Sequence, residues 1–250
     1  MEKLRTDKYG FRLRGDHMTR IDAFSDVVFG FALTLLVVSL EVPKTYHELT
    51  TALSGFLAFA ICFSLLISLW HAHYTFFRRY GLDDMRTISL NASLLFLILF
   101  FVYPMKFLFT LVTLQIMGKS QDLQQNVFDP NTLVANVQVE HLMMLYGFGF
   151  FVVYLVFALL YIHAWSKRVE LQLNRLEKLL TVESIANKLS VGSVGLICIL
   201  LSRITRDSAP GVAGWVFLLI APIQSVLGFY FRRKLKALDA RAAMKESTPA

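Results

Sequence analysis

Charged residues are scarce in this chain of 250 residues. Asp, Glu, Lys and Arg make up 17% of it, whereas a soluble globular domain carries about 25%. Hydrophobic residues reach 56% and the mean hydropathy is +0.55. Several apolar runs approach the ~20 residues that a helix needs to cross a bilayer core. The scarcity of charge therefore argues against a soluble domain and predicts an integral membrane protein.

Cysteines and catalytic motifs are also scarce. Cys62 and Cys198 each lie inside an apolar run, so we expect two small core residues rather than a disulfide. The sequence has no CxxC pair, nucleophile elbow, Walker A loop, HExxH or glycine-rich dinucleotide motif, and no TVGYG filter. The first 19 residues lack an apolar core, so no cleavable signal peptide is expected. Neither an enzyme nor a bound cofactor is predicted.

Six apolar segments organise the chain. They cover approximately residues 22–42, 49–77, 87–117, 139–165, 182–204 and 212–231, and a charged segment, 166–181, precedes the fifth. They predict an all-α integral membrane protein with six transmembrane helices. Its expected parts are a basic tail (1–19), a transmembrane domain (20–232) and a second basic tail (233–250) that is partly disordered.

The Lys and Arg residues indicate an orientation. Nineteen of them lie in the two tails or directly beside them (Arg20 and Arg232), in the loop after the second segment and in the stretch before the fifth, against four in the opposite loops. Because these residues mark cytoplasmic loops, both termini are predicted to be cytoplasmic. Topology thus accounts for the net charge of +7, and no nucleic-acid partner is expected.

The first segment opens with a dense set of polar residues, Arg20, Asp22, Ser25 and Asp26. Ionisable groups within a membrane span are costly and are therefore functional candidates. One interpretation is that the acids cap the helix start and pair with Arg20 or with loop arginines; for Asp26, pairing with Arg20 is favoured. The other is a buried polar network that fixes the first helix against its neighbours.

Beyond these residues the first segment has an apolar face. Val27, Phe31, Thr34, Leu35 and Val38 follow the i, i+4, i+7, i+8, i+11 spacing of one helical face. Such a face is a packing stripe, or the wall of a pore where several copies of the helix meet on an axis. An apolar constriction can gate a pore by dewetting.

Two histidines, His71 and His73, lie near the end of the second segment. Residues two apart on a helix point about 200° apart. We therefore expect His71 to face the lipid headgroups, His73 to face the helix bundle, and no metal to be bound between them.

A family resemblance rests on these same positions. Arg20, Phe24, Ser25 and Asp26 fit R-x-x-x-F-S-D, the signature of the transmembrane protein 175 family of potassium channels, which the sequence resembles. Trp70 and His73 fit the W-x-x-H of the second helix. Further matches are Leu90-Asn91 and Pro104 in the third segment and Tyr146-Gly147 in the fourth. The likeness covers the first four segments well and the last two weakly.

The resemblance implies a potassium-selective or potassium-permeable cation channel in the plasma membrane, of the bacterial type with one six-helix repeat per chain. Such channels are homotetramers in which the first helix lines the pore, and the permeant K+ ion occupies it. A non-conducting membrane scaffold and a proton-coupled secondary transporter that uses His73 and the acids are the alternatives.

The resemblance also implies residue roles. The constriction falls on Phe31, with a threonine layer at Thr34 and further apolar layers at Leu35 and Val38. The family commonly has Ile or Leu where this chain has Phe31, and Ala where it has Gly30. The signature residues form a structural network beneath the pore: Arg20, Phe24, Ser25, Asp26, Trp70, His73 and Asn91.

Overall fold

The structure is a computed structural model that describes residues 5–15, 17–38, 45–46, 56–116, 132–205 and 210–246. These residues form six α-helices. The helices are α1 (Arg20–Val38), α2 (Phe56–Tyr80), α3 (Met85–Ile116), α4 (Thr132–Ser166), α5 (Arg175–Ile204) and α6 (Ile220–Glu246). A 3-10 helix, Pro210–Leu219, runs directly into α6.

Five stretches of the described chain are long and apolar enough to cross a membrane. They are Phe56–Tyr80, Met85–Val102, Val137–Ser166, Arg175–Ile204 and Ala213–Leu235. The described part of α1 is not among the five, and it carries Arg20, Asp22 and Asp26 in its first two turns. The predicted class, an all-helical membrane protein, is confirmed, with five such stretches among the described residues.

The fifth helix begins at Arg175, seven residues before its predicted start. Asn174 caps it: its side chain accepts from the Glu177 amide, and the Glu177 carboxylate accepts from the Asn174 amide. This reciprocal pair is a capping box, which favours a helix start whatever the local hydropathy. Hydropathy alone missed it because the first two turns of α5 are charged.

The sixth helix also runs further than expected. It continues to Glu246 without a break at residue 232, so residues 233–246 of the predicted basic tail are helical in the structure. Residues 233–246 are rich in Lys, Arg, Ala and Leu, which have high helix propensity.

Helices α4 and α5 pack closely against each other at a pair of glycines. A Cβ atom placed on Gly195 would lie 2.4 Å from the Gly147 carbonyl oxygen. Elsewhere α1 packs on α2 and α3, and α3 packs on α4. Cys62 and Cys198 are fully buried free thiols, which confirms the prediction for both.

Candidate functional site: the first helix and the polar network behind it

Helix α1 has a buried face that packs inside the chain. Ser25, Phe29, Ala32 and Leu36 are at most 2% exposed. Their spacing of four, three and four residues keeps them on one side of the helix. Neighbouring α2 and α3 cover this side, so its packing fixes the rotation of α1 about its own axis.

The opposite face of α1 is apolar and uncovered. Phe24, Val27, Phe31 and Leu35 are 62%, 69%, 56% and 40% exposed. Thr34 is exposed on the same side, and its hydroxyl donates to the Phe31 carbonyl oxygen at 2.7 Å. The side chain of Val38 lies outside the described residues. The face singled out in the sequence is therefore not a packing stripe within one chain.

A buried chain of hydrogen bonds lies behind α1 and joins three helices. Asn91 on α3 accepts from His73 Nε2 on α2 at 2.7 Å, with the ring tautomer that makes Nε2 the donor. The Asn91 amide donates to Ser25 Oγ at 2.9 Å, and Ser25 Oγ donates to the Ile21 carbonyl at 2.7 Å. His73, Asn91 and Ser25 are no more than 3% exposed. Each polar group thus replaces its lost water contacts with a protein partner.

Asp26 extends the contact between α1 and α2. It accepts a hydrogen bond of 2.8 Å from Trp70 Nε1, and the Trp70 ring stacks on Tyr74. The favoured pairing of Asp26 with Arg20 is wrong, because six residues on a helix put the two side chains about 9 Å apart along the axis. Arg20 and Phe24 are both exposed and lie outside the hydrogen-bonded set.

The other acid of the polar cluster, Asp22, caps the start of α1. Asp22 Oδ2 accepts from the Thr19 amide at 3.0 Å and from the Thr19 hydroxyl at 2.8 Å, while Thr19 Oγ1 accepts from the Asp22 amide at 3.2 Å. Both interpretations of the polar cluster thus hold in part: Asp22 caps the helix, and Ser25 belongs to the buried network.

The two histidines of α2 point in different directions, as their spacing predicts. His71 is exposed, whereas His73 is buried between the rings of Phe29 and Phe77. Within the part of the chain that the structure describes, no group of three or more His, Cys, Asp or Glu side chains is placed to hold a metal ion.

Two further matches of the resemblance meet in the structure. The Tyr146 hydroxyl on α4 donates a short hydrogen bond to the Pro104 carbonyl on α3. A proline inside a helix removes one backbone donor and disturbs the local ladder. The tyrosine gives the disturbed turn of α3 a partner on α4.

Sequence reasoning passed over a lysine inside the fifth span. Lys188 Nζ lies 5.6 Å from the centroid of the Tyr154 ring and 5.1 Å from that of Phe157. Both distances are in the range of cation–π attraction. An ionisable residue within an apolar run was the signal that could have found it.

A second missed group lies in the connection between α2 and α3. Asp84 accepts from His163 Nε2 at 2.9 Å and from the Thr87 hydroxyl at 2.7 Å. Burial raises the pKa of Asp84, but the hydrogen bonds from Thr87 and His163 outweigh burial and hold that pKa below its usual value. The loop aspartate therefore ties the start of α3 to the end of α4.

Comparison with known proteins assigns the family. The family described as "Endosomal/lysosomal potassium channel TMEM175" matches residues 20–102, which contain α1, α2, the network and the first half of α3. A potassium channel from Marivirga tractuosa is 36% identical over 231 residues, which are 91% of this chain and 93% of that protein. The chain belongs to the TMEM175 family.

Solved structures agree with this TMEM175 assignment. The fold superimposes with a TM-score of 0.79 on a variant of the potassium channel MtTMEM175 solved with a Nanobody-MBP fusion protein; the identity is 34%, over 92% of this chain and all of that one. A homolog, from Chamaesiphon minutus, of the lysosomal potassium-selective channel TMEM175 shares the fold at a TM-score of 0.50 and 23% identity, over 86% of this chain and 96% of that one. This TMEM175 chain is a multi-pass membrane protein, and its family is one of channels, which is not an enzyme class.

Proposed function

We propose that four copies of this TMEM175 chain form a potassium-permeable channel in the plasma membrane, with a pore lined by α1. The observation that carries the proposal is the uncovered apolar face of α1. Burying apolar surface is the main drive for association, and a face with no partner in its own chain is suited to meet copies of itself. Membership of a potassium-channel family supports the channel function of the proposed assembly.

The pore would narrow at successive layers of α1. Phe31 forms the first constriction, Thr34 the next layer, and Leu35 and Val38 the outer layers. Along the helix axis, Thr34 lies about 4.5 Å beyond Phe31, Leu35 about 6 Å and Val38 about 10 Å. Rings of apolar side chains exclude water from a narrow pore, so the passage of an ion depends on small changes in its width.

The buried network has a supporting role in this proposal. Ser25, Asn91 and His73 join the back of α1 to α2 and α3, and Asp26 adds the contact with Trp70. Rigid support of this kind keeps the pore-facing side chains of α1 directed at the axis.

The acids at the start of α1 would face the inner mouth of the pore. Asp22 and Asp26 keep oxygen atoms within reach of solvent, and neither forms an ion pair with Arg20 among the described residues. A mouth lined by carboxylates concentrates cations. The Lys and Arg bias places this end, and both termini, in the cytoplasm.

The test measures K+, Na+ and Cl− flux from vesicles that contain the purified protein. We expect cation flux that depends on the electrochemical gradient, with K+ passing at least as readily as Na+. Replacement of Phe31 by Ala should raise conductance and change the K+/Na+ ratio, because it widens the narrowest layer. Phe148→Ala on α4 is the matched control, since Phe148 is also 56% exposed.

Three results would contradict the proposal. Well-folded protein without cation flux would indicate a scaffold. Saturable flux that requires a proton gradient would indicate a transporter. Equal effects of Phe31→Ala and Phe148→Ala would remove Phe31 from the constriction.

A further inference from the structure

Residues 5–15 form a folded segment in front of α1, here called the N-terminal strap. Within it, Asp7 Oδ1 accepts from the amides of Tyr9 and Phe11, and Thr6 and Arg12 pair as an isolated β-bridge. The strap lies against the end of α2 and the start of α5, two elements far away in sequence. It ends at Gly15, only five residues before α1 begins.

The strap is fastened to α5 by one carboxylate. Glu177 is completely buried and accepts from Arg12 through the backbone amide at 3.0 Å, Nε at 2.9 Å and Nη2 at 2.8 Å. Arg14 Nη2 adds a bond of 2.9 Å, and the amide of Asn174 adds another of 2.9 Å. Capping of α5 alone requires only the bond with Asn174. The four bonds to the strap are therefore additional to capping.

The strap is also fastened to the end of α2. Asp7 pairs with Arg79, whose guanidinium lies 5.0 Å from the centre of the fully buried Phe11 ring. Gly15 exchanges two bonds with Arg78, one from its amide to the Arg78 carbonyl and one from the Arg78 guanidinium to its own carbonyl. A Cβ on Gly15 would come within 2.4 Å of the Phe77 carbonyl oxygen, so only glycine permits this close contact.

These contacts place the N-terminal strap on one side of α1. Helix α2 packs against the buried face of α1, opposite the face that carries Phe31. A strap held on α2 and α5 therefore holds the first turn of α1 back from the uncovered face.

We propose that the N-terminal strap is a built-in brace for the pore helix and that Glu177 is the positioning residue that fastens it. This inference rests on the proposed function, because it assumes a pore between four copies of α1. The strap keeps the inner mouth of that pore wide by holding the start of each α1 in place. Release of the strap lets the four α1 ends approach the axis and lowers K+ flux. Glu177 itself touches no permeant ion and acts only through Arg12, Arg14 and the strap.

The test uses two variants that release the strap in different ways. Glu177→Ala removes the carboxylate, and Gly15→Ala pushes the strap away from α2 without changing any charge. Glu170→Ala is the control, because it deletes an exposed acid whose ion pair among the described residues is the local one with Lys167. The second releasing variant keeps the test informative if loss of Glu177 prevents folding.

Two readouts are made on the assembled full-length protein. Hydrogen exchange of residues 5–15 reports the strap directly, since the amides of Arg12, Leu13 and Gly15 are hydrogen-bonded in the structure. Flux per assembled oligomer reports the pore. We expect both releasing variants to speed exchange in the strap and to lower K+ flux roughly fivefold or more, the size of a typical coupling between distant sites. Glu170→Ala should change neither.

The outcomes separate the brace from the channel. Faster exchange with unchanged flux overturns the brace and leaves the channel intact. Unchanged exchange in both variants overturns the fastening by Glu177. If the unmodified protein carries no K+ flux, the proposed function fails and the positioning role fails with it, while exchange still reports whether Glu177 holds the strap.

Discussion

At the residue scale, Asn91 is the centre of the buried network, since it both accepts from His73 and donates to Ser25. Asn91→Ala leaves the buried His73 Nε2 without its acceptor, and such a loss costs about 1–3 kcal/mol. It also removes the donor to Ser25 Oγ, which keeps its bond to the Ile21 carbonyl. We expect the midpoint of thermal unfolding in detergent to fall clearly.

Ser89 provides the control for Asn91 on the same helix. It is exposed, and its hydroxyl bonds to the Met85 carbonyl of its own helix. Ser89→Ala should leave the unfolding midpoint within the range of ordinary surface substitutions, about 0.5 kcal/mol. Equal midpoints for the two variants would show that the network contributes little to stability.

The individual residues also differ in how far they were predictable. The resemblance identified Ser25, Trp70, His73 and Asn91, and the structure places them in two hydrogen-bonded contacts behind α1. Their functional role stays a prediction. Glu177 was not found because its charge lay in a stretch that hydropathy excluded from the fifth span, and its partners are 163 and 165 residues away.

At the element scale, the contact between α4 and α5 depends on Gly195. Gly195→Ala brings a methyl group within 2.4 Å of the Gly147 oxygen and 3.0 Å of the Phe151 nitrogen. Backbone atoms cannot move aside cheaply, so the two helices must separate, which costs typically about 1–3 kcal/mol. The expected result is a lower unfolding midpoint and faster hydrogen exchange in α4 and α5.

Gly228 on α6 is the matched control for Gly195. Apart from its chain neighbours and the backbone of its own helix turn, nothing in the described structure lies within 4 Å of the position of its absent Cβ. In a helix interior, alanine is favoured over glycine by up to about 1 kcal/mol. Gly228→Ala should therefore be neutral or stabilising. A loss of stability equal to that of Gly195→Ala would contradict the assigned close packing.

Helix boundaries show what local patterns predict. Both ends of α3 and the end of α4 lie within two residues of the predicted segments, because long apolar runs dominate them, whereas α4 begins at Thr132, seven residues before its predicted start. The start of α1 lies two residues before its predicted segment, whereas the start of α5 differs by seven residues because a cap decides it. Asn174 begins α5 through a side-chain bond to the next turn, which average hydropathy does not detect.

At the scale of the whole molecule, the uncovered face of α1 is the strongest reason to expect self-association. We predict that the purified protein in mild detergent has four times the chain mass of 28.5 kDa by native mass spectrometry. Val27→Lys should shift it to smaller species, because like charges would then be brought together near one axis.

Val226 on α6 is the control for this prediction of assembly. Val226 and Val27 are 70% and 69% exposed, but copies of α6 do not line the proposed axis. Val226→Lys should leave the four-copy species intact. Equal dissociation by both variants, or a single-copy mass for the unmodified protein, would argue against a pore built from α1.

The sequence by itself determined the membrane class, the approximate positions of the six helices and the TMEM175 resemblance, because each depends on composition or on residues close together along the chain. It also determined which side chains share a face of α1, since helical periodicity is a local property. Only the tertiary structure decided which face is covered, that Asp26 meets Trp70 rather than Arg20, and that Glu177 holds the N-terminal strap. The physical reason is that periodicity defines the direction of a side chain, whereas its partner depends on which distant element packs against it.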